Sequence, residues 1–100
     1  LDEELERYLA IFLSIDQSGS GYLGPQEARE VLEKSQLPTS ELSRIWRLSD
    51  SDGDGRLAVP EFLCAMVLAA QARRGVALPA QLPLELVAAA SAAAARGGMR

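Results

Sequence analysis

The sequence contains no histidine and only one cysteine, Cys64. Without histidine the chain lacks the commonest general base and zinc ligand, and it shows neither a glycine-rich phosphate loop nor a nucleophile paired with a base. An enzyme is therefore the least favoured class of function. A single cysteine cannot form an internal disulfide, and Cys64 lies in the apolar run FLCAMVLAA. We therefore expect a buried thiol in an intracellular protein.

Charge and length set further limits. The net charge is −4, which argues against a general nucleic-acid binder. The run FLCAMVLAA is too short to span a bilayer. The chain has 100 residues, 48% of them apolar, which is enough for one modest core and not for two. We therefore expect a single domain. Because the first residue is Leu1 and not methionine, we also expect the chain to be a piece of a longer protein.

An internal repeat with a period of 34 residues organises the chain. DQSGSGYLGPQE, residues 16–27 and named loop 1, aligns with DSDGDGRLAVPE, residues 50–61 and named loop 2. Both segments begin with aspartate, carry glycine at position 6 and end with glutamate. Twelve-residue loops of this composition are typical of paired calcium-binding sites and not of helical solenoid repeats.

Apolar residues at three- and four-residue steps predict a helix on each side of both loops. Pro25 suits the first position of the second helix, and Thr39 suits the cap of the third. At position 8 of each loop the apolar Leu23 and Leu57 favour a short two-stranded ribbon between the loops. We therefore predict a mainly all-α fold: paired EF-hands, with four helices and that ribbon. The apolar stripes are Leu5, Tyr8, Leu9, Phe12 and Ile15; Ala28, Val31 and Leu32; Leu42, Ile45, Trp46 and Leu48; and Phe62, Met66, Ala69 and Ala70.

Loop 2 carries a complete set of calcium ligands. The pattern requires side-chain oxygens at positions 1, 3, 5 and 12 and a backbone carbonyl at position 7. Gly55, at position 6, suits the sharp turn that the loop must make. Without a cation four carboxylates would repel one another, so we expect Ca²⁺ here. The predicted ligands are Asp50, Asp52, Asp54, the carbonyl of Arg56, and Glu61.

Loop 1 is the weaker candidate, because fewer carboxylates mean lower calcium affinity. Its ligands would be Asp16, Ser18, Ser20, the carbonyl of Tyr22, and Glu27. Loop 1 either binds calcium or serves only to pair with loop 2. Calcium could be a structural ion or a regulatory signal. Calcium sensors expose a groove rich in methionine, whereas this chain has only two methionines, Met66 and Met99.

The segment LEKSQLPTSELSRIWRLSDSDGDGRLAVPEFLCAM resembles the EH domain, the EF-hand-pair module of endocytic adaptors. The resemblance is carried by SQLP between the middle helices, Leu42, the Ile45-Trp46 pair and the loop 2 region. VALPAQLPLELV, residues 76–87, is similar to the proline-containing tail that packs back across the helices in this family. Ser43 departs from the family's usual glycine. We assign the domain to residues 1–87 and expect residues 88–100 to form a low-complexity, disordered tail.

The resemblance implies a module that binds Asn-Pro-Phe motifs in unstructured segments of endocytic or vesicle-trafficking partners. By correspondence, the peptide pocket falls on Leu32, Leu42 and Trp46. It also implies a cytoplasmic domain, monomeric by itself and held at membranes through its partners. The alternative is a calcium-responsive EF-hand regulator that binds an amphipathic helix. Three basic residues, Lys34, Arg44 and Arg47, are candidates for contact with acidic residues beside the motif or with anionic phospholipids.

Overall fold

The computed structural model describes residues 2–16, 19–50, 53 and 55–97. The elements follow in the order α1 (Asp2–Ile15), β1 (Tyr22–Leu23), α2 (Pro25–Glu33), α3 (Thr39–Ser49), β2 (Leu57–Ala58), α4 (Val59–Arg73) and α5 (Leu84–Gly97). The predicted fold, mainly helical with a two-stranded ribbon between the loops, is confirmed. The four predicted helices are followed by a fifth that was not predicted.

Helix α4 is the central element of the core. A helix that is apolar around most of its circumference must be covered by its neighbours. The other four helices all contact α4. The ring of Phe12 on α1 meets that of Phe62 on α4 edge to face, with centroids 5.5 Å apart. The buried residues of α4 are Phe62, Leu63, Cys64, Ala65, Val67, Leu68 and Ala69.

The ribbon joins the two loops. β1 and β2 are antiparallel, with Tyr22 opposite Ala58 and Leu23 opposite Leu57. Both leucines are fully buried, so the ribbon is anchored in the core. On the outside, the Arg56 guanidinium lies 4.5 Å from the centre of the Tyr22 ring, a cation–π contact between the position 7 residues of the two loops.

The last residue of each loop is also the third residue of the helix that follows, and its side chain caps the start of that helix. The Gly24 N–H donates to Glu27 Oε1 at 3.1 Å, and the Ala58 N–H donates to Glu61 Oε1 at 2.8 Å. Each glutamate thereby satisfies a backbone donor that the first turn of a helix leaves open. Thr39 does not act as predicted: it is the first residue of α3, Pro38 is the cap, and no side chain caps that end.

The C-terminal helix differs from the expected disordered tail. α5 continues to Gly97, and its Leu86, Ala90 and Ala93 are buried against the core. Contacts with α4 and α1 explain why the helix is ordered. Alanine has the highest helix propensity, and its small side chain lets two helices approach closely, so an alanine-rich segment can pack without large apolar residues. Residues 98–100 lie outside the described part of the chain.

Candidate functional site

A surface groove lies between α2 and α3, with a cavity volume of about 660 Å³. We name it the α2–α3 groove. Its apolar surface comes from both helices and from the turn that joins them, and charged side chains stand at its edge. The lining residues are Pro25, Arg29, Leu32, Glu33, Leu37, Thr39, Leu42, Ser43, Trp46 and Arg47. The structure thus brings together all three residues of the predicted pocket, Leu32, Leu42 and Trp46.

These three side chains occupy different depths of the groove. Leu32 is only 3% exposed and forms part of its floor. Leu42 and Trp46 are half-buried and pack against the edge of the core. Ile45, the immediate neighbour of Trp46, is fully buried. Helix α3 therefore turns one edge of its apolar face to the core and the other to the groove, because successive residues point about 100° apart around a helix.

The turn between α2 and α3 shapes the end of the groove. Three successive backbone N–H groups, those of residues 34, 35 and 36, each donate to the carbonyl three residues earlier. Gln36 then adopts a left-handed conformation, with φ of 63°, and the chain reverses into Leu37 and Pro38. Leu37 was not among the predicted pocket residues, yet it lines the groove.

The edge of the groove is charged. Arg29 Nε lies 2.9 Å from Glu33 Oε1, an ion pair one helical turn apart on α2 with both side chains mostly exposed. Arg47 faces them from α3. Arg29 and Glu33 were not among the predicted site residues, although their i, i+4 spacing on a predicted helix was a usable signal. Ser43, the departure from the family pattern, also lines the groove.

The three predicted basic contacts do not all line the same cavity. Arg47 lines the α2–α3 groove, while Lys34 lines a different cavity, between α1, α2 and α4. Arg44 is exposed and lines neither of them. Of the three, only Arg47 therefore lines the groove that contains the predicted peptide pocket.

The described part of loop 2 has the backbone form that the calcium pattern requires. The Gly55 N–H donates to Asp50 Oδ2 at 3.1 Å, and Gly55 has φ of 79°, a region that other residues rarely adopt. Glu61 is held at the start of α4 by its bond with Ala58. Asp52 and Asp54, the predicted ligands at positions 3 and 5, lie outside the described residues. Oxygen-only donors around a tight glycine turn fit calcium.

Loop 1 repeats this geometry. The Gly21 N–H donates to Asp16 Oδ2 at 2.8 Å, and Gly21 has φ of 82°. The Ser20 Oγ lies 3.0 Å from Asp16 Oδ1 and 3.1 Å from the Tyr22 carbonyl oxygen. Three of the oxygens predicted to be calcium ligands therefore lie close together. The Ser20 hydroxyl has one proton, so it can donate to only one of the two oxygens at a time. Ser18 lies outside the described residues.

Side chains in the described ranges do not by themselves make up a metal centre. Among those residues there is no group of three or more histidine, cysteine, aspartate or glutamate side chains suited to a metal ion. Loop 2 would need Asp52 and Asp54 in addition to Asp50 and Glu61. Within the same ranges, no helix has both the length and the apolar character that crossing a membrane would require.

Comparison with known proteins identifies relatives for the whole arrangement. A family model described as "EH domain" matches residues 1–96, a range that includes nearly all of α5. The second EH domain of AtEH1/Pan1 is a solved structure with a TM-score of 0.79 and 29% sequence identity, covering 85% of this chain and 82% of that one.

Similar curated proteins are much longer than this chain. Intersectin-2 of Mus musculus is 46% identical over 81 residues, 81% of this chain and 5% of that protein. The actin cytoskeleton-regulatory complex protein pan1 of Sclerotinia sclerotiorum is 45% identical over 85 residues, 85% of this chain and 6% of that protein. RalBP1-associated Eps domain-containing protein 1 of Homo sapiens is 40% identical over 86 residues, 86% of this chain and 11% of that protein.

Proposed function

This chain belongs to the EH domain family, whose members are protein-interaction modules of endocytic adaptors, and we propose that it binds Asn-Pro-Phe motifs in unstructured partner segments. The single observation that carries this proposal is the α2–α3 groove. This groove is lined by the three residues at the positions that correspond to the family's peptide pocket, Leu32, Leu42 and Trp46.

The chemistry of the groove suits such a motif. A phenylalanine side chain buries a large apolar area, and aromatic pairs gain a further 0.5–1.5 kcal/mol or so beyond that burial. The half-buried Trp46 ring and the leucines beside it offer such a surface. The proline of the motif fixes one backbone angle, and Asn-Pro favours a turn, so less conformational entropy is lost on binding.

We propose that loop 2 binds Ca²⁺ as a structural ion. Asp50, Asp52, Asp54, the Arg56 carbonyl and Glu61 would hold it, and the ion would balance the carboxylates of this loop. Support comes from the tight turn at Gly55 and from the placement of Glu61 at the start of α4. For loop 1 we propose weaker binding, because Ser20 supplies a neutral oxygen where loop 2 has aspartate.

The proposed setting is the cytoplasmic side of endocytic or vesicle membranes, reached through partner proteins, with the isolated domain monomeric. We also propose that Arg47 attracts acidic residues beside the Asn-Pro-Phe motif. Of the three predicted basic residues only Arg47 lines the α2–α3 groove, and this placement supports its contact with the acidic flank of the peptide.

The decisive experiment titrates an Asn-Pro-Phe peptide into the calcium-loaded domain by calorimetry. We expect a dissociation constant between about 1 µM and 1 mM, as for a short motif that is ordered on binding. Trp46→Ala should abolish binding while leaving the circular dichroism spectrum and the melting transition those of a folded domain.

Leu13→Ala is the matched control, because Leu13 is a large apolar side chain, 48% exposed, that lines neither cavity. This variant should bind as the wild type does. If Trp46→Ala retained the wild-type affinity, the peptide site would have to lie elsewhere on the domain.

A further inference from the structure

A second groove lies on another face of the domain, with a cavity volume of about 460 Å³. We name it the α1–α2–α4 groove. Helices α1 and α2 both contact α4, so α4 forms the floor between them. Apolar side chains from all three helices line it, and Leu32 is shared with the α2–α3 groove. The lining residues are Tyr8, Ile11, Ser14, Ile15, Val31, Leu32, Lys34, Ser35, Met66, Ala69, Ala70 and Arg73.

The charge of this groove is opposite to that of the chain. The chain as a whole carries −4, yet the described residues that line the groove include two cations, Lys34 and Arg73, and no acidic residue. One carboxylate borders it: Glu4 Oε2 accepts a hydrogen bond from the Tyr8 hydroxyl at 3.2 Å. Both cations are exposed, and neither forms an ion pair within the described part of the chain. The described ion pair of Arg74 with Glu4, at 3.8 Å, does not involve Arg73. The groove therefore combines an apolar floor with positive charge at two places, just after α2 and at the end of α4.

We propose that the α1–α2–α4 groove binds an amphipathic helix of a partner protein, with acidic residues bordering its apolar stripe. An amphipathic helix presents an apolar stripe with charged side chains along its borders, which matches an apolar floor edged by Lys34 and Arg73. The half-buried Met66 gives the floor an adaptable side chain, because an unbranched thioether can repack around different apolar partners. The Asn-Pro-Phe motif would use the other groove, so both ligands could bind at once.

The two cations also lie at helix ends, Lys34 just after α2 and Arg73 in the last turn of α4. Positive charge at a helix C-terminus stabilises the helix by itself. That role would appear in the melting temperature and not in the affinity for a charged ligand. The two roles therefore separate experimentally.

The test uses the calcium-loaded, ¹⁵N-labelled domain and a synthetic helical peptide of about four turns. The peptide carries leucine at i, i+3, i+4 and i+7 and glutamate along both borders of that stripe; a matched peptide carries lysine in place of glutamate. We expect amide shifts at Ile15, Val31 and Met66 with the glutamate peptide, and no competition from a saturating Asn-Pro-Phe peptide.

Charge-reversal variants provide the matched comparison. Lys34→Glu with Arg73→Glu should weaken binding of the glutamate peptide by about fivefold to twentyfold, a loss that shrinks as salt rises, and should strengthen binding of the lysine peptide. Arg44→Glu with Arg47→Glu makes the same change in net charge outside this groove and should leave both affinities unchanged.

Three outcomes would overturn the proposal: no binding of the glutamate peptide up to about 1 mM, shifts confined to Leu42 and Trp46, or equal losses in the two double variants. Failure of the Asn-Pro-Phe proposal is observed separately, as absence of binding by that peptide in the same sample.

Discussion

Cys64 shows how strongly one residue's position decides its chemistry. Its side chain is 2% exposed, and burial, with a smaller contribution from the Glu61 carboxylate, raises the pKa of the thiol from 9.0 to about 11. Because only the thiolate reacts with thiol reagents and metals, this cysteine should be inert in the folded domain.

We predict that Cys64 reacts with a disulfide reagent at neutral pH far more slowly in the folded domain than in urea. The protonated Cys64 thiol therefore contributes to the stability of the folded state below pH 9. This contribution is lost as the pH rises towards about 11, because the thiol of the unfolded chain loses its proton at a lower pH than the thiol of the folded domain. Urea unfolding curves across that range should show a steeper loss for the wild type than for Cys64→Ala. An equal loss of stability with pH in the wild type and in Cys64→Ala would mean that burial does not raise the pKa of the thiol.

Arg47 and Arg44 form a natural pair for testing charge beside the peptide pocket. Both lie on α3, but only Arg47 lines the α2–α3 groove. We predict that Arg47→Glu weakens binding of an Asn-Pro-Phe peptide with an acidic flank by up to about fivefold, because an exposed charge pair contributes about 1 kcal/mol at most. The loss should diminish with added salt. Arg44→Glu should bind as the wild type, and an equal effect of both substitutions would exclude a local contact.

At the scale of the element, each loop and the helix after it share one glutamate. Glu61 Oε1 accepts the Ala58 N–H, and Glu27 Oε1 accepts the Gly24 N–H. Glutamine keeps an oxygen that can accept the same bond but loses the negative charge. Substitution by glutamine therefore tests the metal site while preserving the start of the helix.

We predict that Glu61→Gln lowers calcium affinity by about tenfold or more, which corresponds to about 1.4 kcal/mol. Glu27→Gln should have a smaller effect on the total heat of calcium binding, because loop 1 is the weaker site. Calorimetry on the two variants and the wild type measures both. Removal of calcium by a chelator should lower the melting temperature of the wild type. If chelation left the melting temperature unchanged, calcium would not be a structural ion of this domain.

At the scale of the whole molecule, α5 completes the core. Ala90 is fully buried, whereas Ala92 is exposed two residues later on the same helix. We predict that Ala90→Asp destabilises the domain by about 3 kcal/mol or more, because it buries a carboxylate among apolar residues. Ala92→Asp should cost only about 0.7 kcal/mol, the difference in helix propensity.

Thermal unfolding distinguishes the two substitutions, since 1 kcal/mol shifts the melting temperature by about 4–8 °C in a domain of this size. Similar melting temperatures for Ala90→Asp and Ala92→Asp would show that α5 contributes little to the stability of the core.

The sequence was sufficient to predict the four helices and the ribbon, because their signals are local: apolar periodicity, Pro25 at a helix start, and two loops of fixed pattern. It was also sufficient to select Leu42 and Trp46 as groove residues, once the resemblance had distinguished them from Ile45. Without that resemblance, an apolar stripe does not reveal which of its edges faces solvent.

Helix α5 could not be predicted in the same way, because alanine carries no periodic contrast between buried and exposed faces. Its order depends on contacts with α1 and α4, which are distant in sequence. The same limit applies to Lys34 and Arg47: both are basic and close to pocket residues in sequence, yet they line different grooves. Tertiary packing decided these placements.

The order of the helices has a consequence for synthesis. α4 is the most buried helix, and α5, which covers part of it, comes later in the chain. At translation rates of about 5–20 residues per second, the ribosome adds Ala93 roughly one to four seconds after it adds Arg73. During that time the part of the α4 surface that α5 will cover remains open, and a nascent-chain chaperone would have that apolar surface to bind.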